Sequence, residues 1–392
     1  MNKKLSSSLF VLIVASVVSV GLRAQPLIPA APELAAKAWL LIDARTGSIL
    51  AEHNADEQLP PASLTKMMTS YIVSEEIEAG RISEEDEALV SENAWRKGGT
   101  SSGGSTMFLP PNESAKIIDL MRGVIIQSGN DASIVLAEHV AGSEEVFADV
   151  MNQQAQRLGM RDTYFANSTG LPDPSHLTTA RDLATLAKAI INDHPEHYEI
   201  YSEKSFEYNG ISQNNRNRLL WQDASIDGLK TGYTDKAQYC LVASGERNGM
   251  RLISVVLGAR NEGARSTESQ KLLSWGFRYY ITHQLYSAGE LLETQKLWKA
   301  NQDTVDLGIA EDIYLTIPRG AEDLLDATMS VGSVLQAPLA LGEQVGSAQI
   351  TYQGEPIFDV PVVVTSEVEK AGFLSRIWDS IMLFFLGLFG RI

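Results

Sequence analysis

Two apolar strand pairs near the two ends of one long segment set the tightest limit on how this chain can fold. The first, "AWLLIDARTGSILAEHN" from Ala38, reads as two strands around a turn at Thr46-Gly47. The second, "CLVASGERNGMRLISVVLGA" from Cys240, flanks Asn248-Gly249, a dipeptide that favours a tight hairpin turn. Between them the apolar spacing predicts helices over 63–78, 113–127, 131–140, 144–158 and 179–192, and a further helix starts near Ser266. Helices enclosed between strand pairs predict an α+β domain, an antiparallel sheet flanked by helices, over residues 37–286.

The texture changes after Ala288. "DIYLTIPRG", "TMSVGSVLQAPLALGEQVGSAQITYQG" and "IFDVPVVVT" are short alternating runs broken by Gly, Pro and Asp, which predicts a small all-β domain over 289–366. It carries no cluster of catalytic residue types. The last stretch, "EKAGFLSRIWDSIMLFFLGLFGRI", spaces its apolar residues as one helix face over 369–392. Its uninterrupted apolar run, Ile381 to Phe389, is about half of the ~20 residues a spanning helix needs, so a helix lying in a membrane surface is expected. Asp379 and the lack of a dense basic face make apolar burial, rather than anionic lipid, the source of insertion. At the other end, Lys3 and Lys4 precede an apolar run from Leu9 to Val20, too short to span, which predicts a signal peptide over 1–24 cleaved after Ala24.

The net charge of −17 argues against nucleic acid as a partner, because phosphate binding needs a basic surface. Cys240 is the only cysteine, so no intrachain disulfide can form, and its "YCLVASG" setting reads as a buried strand. The six histidines, including His194 and His197 in "DHPEH", are expected at the surface, with no metal or other cofactor site.

Chemistry is concentrated in three short motifs, each expected at an element boundary. "SLTK" places Ser63 and Lys66 three residues apart at a helix start, on one face. "SGN" (Ser128 to Asn130) separates "LMRGVIIQ" from "DASIVLAEH", and "KTG" (Lys230 to Gly232) is followed by Tyr233 and Thr234. A serine hydroxyl needs an adjacent base to attack, and an amine serves only if burial or a second cation lowers its pKa. Lys66 is the candidate base, Lys230 the candidate second cation, and Ser128 a relay between them. Asn130 is placed to hold a substrate amide and the Lys66 side chain. The backbone N–H groups of Ser63 and Tyr233 are the candidate oxyanion donors, and Gly232 is expected to leave room for a substrate backbone.

Together these form the S-x-x-K, S-x-N, K-T-G set of the penicillin-binding proteins and serine β-lactamases. "PPASLTKMMTSY", "IIQSGNDAS", "DGLKTGYTDKAQYCLVASGERNGMRLISVVLGA" and "ESQKLLSWGFRYY" resemble the D-alanyl-D-alanine carboxypeptidases of the low-molecular-mass penicillin-binding protein 5 and 6 group. The resemblance implies a serine β-lactamase/transpeptidase-like catalytic domain and removal of terminal D-alanine from the peptidoglycan pentapeptide stem. It further implies acylation of Ser63 by β-lactam antibiotics, and a place on the periplasmic face of a bacterial inner membrane. By the same resemblance Thr231 and Thr234 line the substrate strand and Arg265 binds the peptide's terminal carboxylate, with Arg260 the neighbouring alternative. Asp182 matches an acidic residue below the site. Tyr233 departs from the histidine that follows K-T-G in the best-known members.

Three other readings share the motifs. A class A-like β-lactamase needs a glutamate-held water, and "YFANSTGLPDPSHLTTARD" contains no glutamate. A D,D-endopeptidase or transpeptidase differs only in what resolves the acyl-enzyme. A non-catalytic wall-binding protein would not need Ser63, Lys66, Ser128, Asn130 and Lys230 all intact. The glycine-rich "GGTSSGGSTMF" lacks the Gly-Lys-Ser/Thr ending of a phosphate loop and is expected to rim the cleft.

Overall fold

The computed structural model describes residues 27–388; the predicted signal peptide and the last four residues of the predicted terminal helix lie outside them. The two predicted strand pairs join one five-stranded antiparallel sheet. Its members are β1 (Ala38–Asp43), β2 (Ile49–His53), β7 (Ile226–Thr234), β8 (Gln238–Arg247) and β9 (Met250–Ala259). Two small pairs lie between: β3 (Glu87–Leu89) with β4 (Ser114–Lys116), and β5 (Ser205–Tyr208) with β6 (Ile211–Asn214). The order β2-β1-β9-β8-β7 brings the strand pairs from the two ends of this domain together at the centre and leaves β7, which carries Lys-Thr-Gly, at an edge. Register aligns Lys230 with Val242, Val255 and Leu40 across the sheet.

All six residues of β1 are buried, which requires cover on both faces. Leu40 and Ile42 pack with Leu229, Val242 and Val255 against one helical layer, comprising α1 (Lys66–Glu78), α2 (Glu92–Gly98), α3 (Ile117–Arg122), α4 (Asn130–Ala141), α5 (Glu144–Leu158), α6 (Ala180–Asp193) and the short α7 (Pro195–Tyr198). Trp39 and Leu41 face the other way. With Leu241 and Val256 they meet Leu219 and Leu220 of α8 (Leu219–Gln222), and Leu272, Leu273 and Phe277 of α9 (Glu262–Tyr279). Local signals start the helices where side chains can cap them: Thr179 accepts from Asp182 N at α6, and Asn261 from Ala264 N at α9. The Asn261 cap starts α9 four residues before the expected Ser266 and places Arg265 in its first turn.

One predicted helix is not continuous. Over 113–127, Ser114–Lys116 buries only Ala115 and pairs with β3; α3 follows, and Gly123–Gln127 widens into a π-helical turn. That wider turn ends with Ser128 in the left-handed region (φ +62°), so the S-x-N motif starts from a bend.

Beyond α9, strand Tyr280–Tyr286 pairs with Ile313–Pro318, and a six-stranded sheet builds the second domain around Leu307, Ile350, Val360, Val362 and Val364. The domains meet at buried Asp43, whose carboxylate accepts from Thr282 Oγ1 (2.6 Å) and Thr316 Oγ1 (2.8 Å). The terminal helix, α10 (Phe373–Leu388), exposes Phe373, Leu374, Trp378, Phe384 and Leu388, while Asp379 accepts from Lys299 N of the β domain at 2.6 Å. Among the described residues no helix is long and apolar enough to cross a membrane.

Candidate active site

Residues Ala62–Thr65 make a single 3₁₀ turn that delivers Ser63 just ahead of α1, and Lys66 opens the α-helix. Lys66 is 1% exposed. Its Nζ donates to Asn130 Oδ1 at 2.7 Å and to the Thr169 carbonyl at 2.6 Å, and lies 3.2 Å from Ser63 Oγ. A neutral amine in this position spends its two N–H bonds on Asn130 and Thr169 and turns its lone pair toward the Ser63 hydroxyl. The left-handed turn at Ser128 aims its Oγ at Lys230 Nζ, 2.9 Å away.

Burial pushes the Lys66 amine down to about 7; the Asp131 and Glu144 carboxylates oppose that shift and Arg216 adds to it. Lys230 is pushed well below the usual lysine range by burial first, then by Lys66, Arg216 and Arg265. Arg216, which the sequence did not single out, is a cation acting on both lysines, and Lys66 and Lys230 disfavour each other's charge as the sequence pointed to.

The predicted residues converge on one cleft of about 430 Å³. Ser63, Ser128, Asn130, Thr231, Gly232, Tyr233, Thr234 and Arg265 all line it, while Lys66 and Lys230 lie buried beneath. Lys-Thr-Gly sits inside β7 rather than at its boundary, on the edge that hydrogen-bonds to β8 alone within the sheet. A Cβ at Gly232 would come 3.0 Å from Pro61 O and 3.2 Å from Ala62 Cβ. The glycine thus lets β7 pack on the Ser63 turn, and the room expected for a substrate backbone on that side is already filled. Thr234 Oγ1 also accepts from Ala237 N, closing the β7–β8 turn. Arg265 is 5% exposed and donates from Nη1 to Gly232 O at 3.2 Å, with Glu262 3.6 Å from Nη2 and no hydrogen-bond partner at Nε among the described residues. Burial lowers its pKa from the ordinary arginine value. Arg260 is exposed outside the lining. Tyr233 packs against Tyr239 with ring centroids 4.4 Å apart and planes tilted by 38°.

Sequence reasoning missed several contributors. Arg216 and Tyr239 line the cleft; Arg216 stands in a stretch with no distinguishing pattern, and Tyr239 lies in the "KTGYTDKAQYC" stretch without having been singled out. Gly170 (φ +83°) lets the 163–178 loop lie on the nucleophile turn, since a Cβ there would fall 1.8 Å from Ala62 O. A glutamate does reach this loop from outside it: Glu144, on α5, accepts from Ser168 N and Oγ. Asp182 lies outside the cleft lining and binds Asp162 N and Thr163 Oγ1.

The histidines correct the sequence reading. His176, His194 and His197 are buried, and each ring has a polar partner: a buried threonine for His176 and surface-reaching carboxylates for His194 and His197. His176 Nε2 meets Thr65 Oγ1, His194 Nδ1 meets Glu78 and His197 Nε2 meets Glu84. Glu75, Glu78 and His194 form a metal-type grouping within 4.8 Å, at the opposite end of α1 from Ser63. The two ring nitrogens of His194 face different carboxylates, at 2.7 and 3.1 Å, so one ion could not replace both contacts.

Comparison with known proteins agrees with this geometry. The D-alanyl-D-alanine carboxypeptidase family, peptidase S11, matches residues 25–261, and the penicillin-binding protein 5 C-terminal domain matches 280–370. The D-alanyl-D-alanine carboxypeptidase DacC of Escherichia coli is 46% identical over 363 residues, 92% of this chain and 91% of its own. Among solved structures, penicillin-binding protein 5 from Haemophilus influenzae superposes with a TM-score of 0.81 at 40% identity, covering 87% of this chain and all of that one. Ampicillin-bound penicillin-binding protein D2 from Listeria monocytogenes is 32% identical over 64% of this chain and 100% of its own, with a TM-score of 0.55. The three motifs, the sheet edge that carries the third, and the β domain behind them are those of one family: this chain belongs to the serine D-alanyl-D-alanine carboxypeptidases of peptidase family S11.

Proposed function

We propose that the chain removes the terminal D-alanine from peptidoglycan pentapeptide stems through a Ser63 acyl-enzyme. The observation that carries the reading is the buried Lys66 amine, near neutral pKa and 3.2 Å from the Ser63 hydroxyl. Ser63 Oγ attacks the penultimate D-alanine carbonyl as its proton passes to Lys66 Nζ. The backbone N–H groups of Ser63 and Tyr233, both on the cleft wall, receive the oxyanion. The C–N bond then breaks, and the departing amine takes the proton Lys66 had gained, relayed through Ser128, which Lys230 holds at 2.9 Å, so that Lys66 is again free base. Water attacks the resulting ester and frees Ser63. Thr231 and Thr234 flank the peptide, and Arg265 receives its terminal carboxylate with the N–H groups a guanidinium presents as a fork. A β-lactam acylates the same serine, in keeping with the ampicillin-bound relative.

Release of free D-alanine from a peptide ending in D-Ala-D-Ala tests this, with release of D-alaninamide from the C-terminal amide as comparison. The free acid is expected to be turned over, and the amide to lose at least ~10-fold in kcat/KM through its missing contact with Arg265. Arg265→Met should bring the free acid down to the rate of the amide. Equal turnover of both peptides by the unaltered chain would point to an endopeptidase-like preference.

We propose also that the mature chain, without residues 1–24, is held at the periplasmic face of the inner membrane by α10. The support is its exposed apolar face, with Leu374 81% and Phe373 69% exposed. In sedimentation with lipid vesicles the full chain should pellet with neutral and anionic vesicles alike. A chain ending at Lys370 should stay in the supernatant. A full chain that stays there too would refute the anchor.

A further inference from the structure

The loop that rims the cleft is held largely from one buried carboxylate, Asp131, with Gln213 Nε2 donating to Thr106 O at 3.0 Å as a further tie. Asp131, directly after Asn130, is wholly buried. Its carboxylate accepts from Thr106 Oγ1 (2.6 Å), Met107 N (2.8 Å) and Leu109 N (3.1 Å), and from Ala132 N of its own helix (3.0 Å). The other end of the loop rests on the same residue. A Cβ at Gly98 would lie 2.3 Å from Asp131 N, so α2 ends in direct contact with the Asn130–Asp131 backbone. Between these points the chain passes Gly103 (φ +71°) and reaches Phe108 (φ +66°), and Ser105 O accepts from Asn130 N at 2.8 Å. A segment with such backbone angles keeps one shape only where its surroundings over-determine it. Gly103, Gly104 and Ser105 line the same cleft as Thr231–Thr234.

We propose that Asp131 is a positioning residue, whose buried carboxylate locks the 103–109 rim and the Ser128–Asn130 turn into one body and so holds the Asn130 amide against Lys66. The assignment rests on the acyl-enzyme reading above, in which Lys66 is the base. It has a second consequence through charge. The groups acting on Lys66 are the Asp131 and Glu144 carboxylates, which favour its protonated form, and the Arg216 cation, which opposes it; Lys230 and His176 in turn feel the Lys66 charge. Removing the Asp131 charge therefore lowers the pH at which Lys66 becomes free base, even as the rim loosens.

The test is Asp131→Asn in the full chain, read as the second-order rate of acylation by a fluorescent penicillin between pH 5 and 9, beside D-alanine release. Asparagine is nearly isosteric but turns N–H groups toward donors. The rate at its optimum should fall ~10- to 100-fold, the loss of one to two charged hydrogen bonds, while the acid limb moves to lower pH. A rate equal to wild type overturns the proposal, and so does a loss whose acid limb stays in place, which is what a merely structural role gives. If Asp131→Asn fails to fold, Thr106→Val removes one latch and keeps the charge. A fall of ~3-fold or more at an unchanged limb then supports the latch, and an unchanged rate overturns it. Failure of the underlying reading looks different: the unaltered chain would be acylated by penicillin yet release no D-alanine.

Discussion

Replacing Ser63 with alanine is expected to reduce D-alanine release to background, a loss of roughly 10⁴-fold or more, and to abolish the covalent penicillin adduct. The size follows from position. Ser63 Oγ is the hydroxyl beside the Lys66 amine, and the neighbouring Ser128 Oγ is held by Lys230 instead. Folding should be little affected, because Lys66 keeps its bonds to Asn130 and Thr169 and Ser63 is itself only half-buried. A stability change within about 1 kcal/mol is expected from the lost contact. Intact-mass measurement after exposure to penicillin checks both halves: the wild type should gain one adduct and the variant none. An adduct on a folded Ser63→Ala chain would place the nucleophile elsewhere.

What made Ser63 readable was the contrast between a polar motif and the apolar periodicity beside it. Ser63 and Lys66 open a run whose residues from Met67 to Val73 are all buried, and Asn130 opens α4 in the same way. Lys-Thr-Gly was legible as a motif but not as a place. Nothing local says that β7 is the edge strand, because that depends on β1 inserting next to β9 from the far end of the chain. The break over 113–127 escaped for a related reason. Its apolar residues satisfy a helical period, and only the pairing of Ala115 with Ala88, distant in sequence, takes Ser114–Lys116 out of the helix.

The unread parts of the site share a different cause. Thr169 acts through its carbonyl, which every residue possesses, so no residue type marks it. Asp131 looks like any acidic residue in a first helical turn, where the dipole favours it; that it also collects three groups from the 106–109 segment is a tertiary fact. His194 and His197 read as surface residues because the carboxylates that make their burial tolerable, Glu78 and Glu84, lie more than a hundred residues earlier. Buried polar groups need partners, and partners distant in sequence are invisible to local pattern.

The same dependence on burial makes Lys66 the more exacting test of mechanism. An amine with a pKa of about 7 is mostly protonated at pH 5 and mostly free base at pH 9. Since only the free base takes the Ser63 proton, kcat/KM should rise with pH across an acid limb centred near 7. Lys66→Arg keeps a cation at this site but cannot act as a base at any accessible pH. It is expected to lose ~10³-fold, within the range a positioned base supplies, and to lose the limb as well. Lys66→Met removes charge and base together and should fall as far. The pair decides between two roles for the residue. If Lys66 served mainly by its positive charge, arginine would retain much of the activity that methionine loses, and the wild-type limb would run the other way, with activity falling as the amine deprotonates. Matching losses in both variants, against a wild-type rate that climbs through neutral pH, assign the proton transfer to a lysine whose basicity the fold has shifted by burying it beneath the nucleophile.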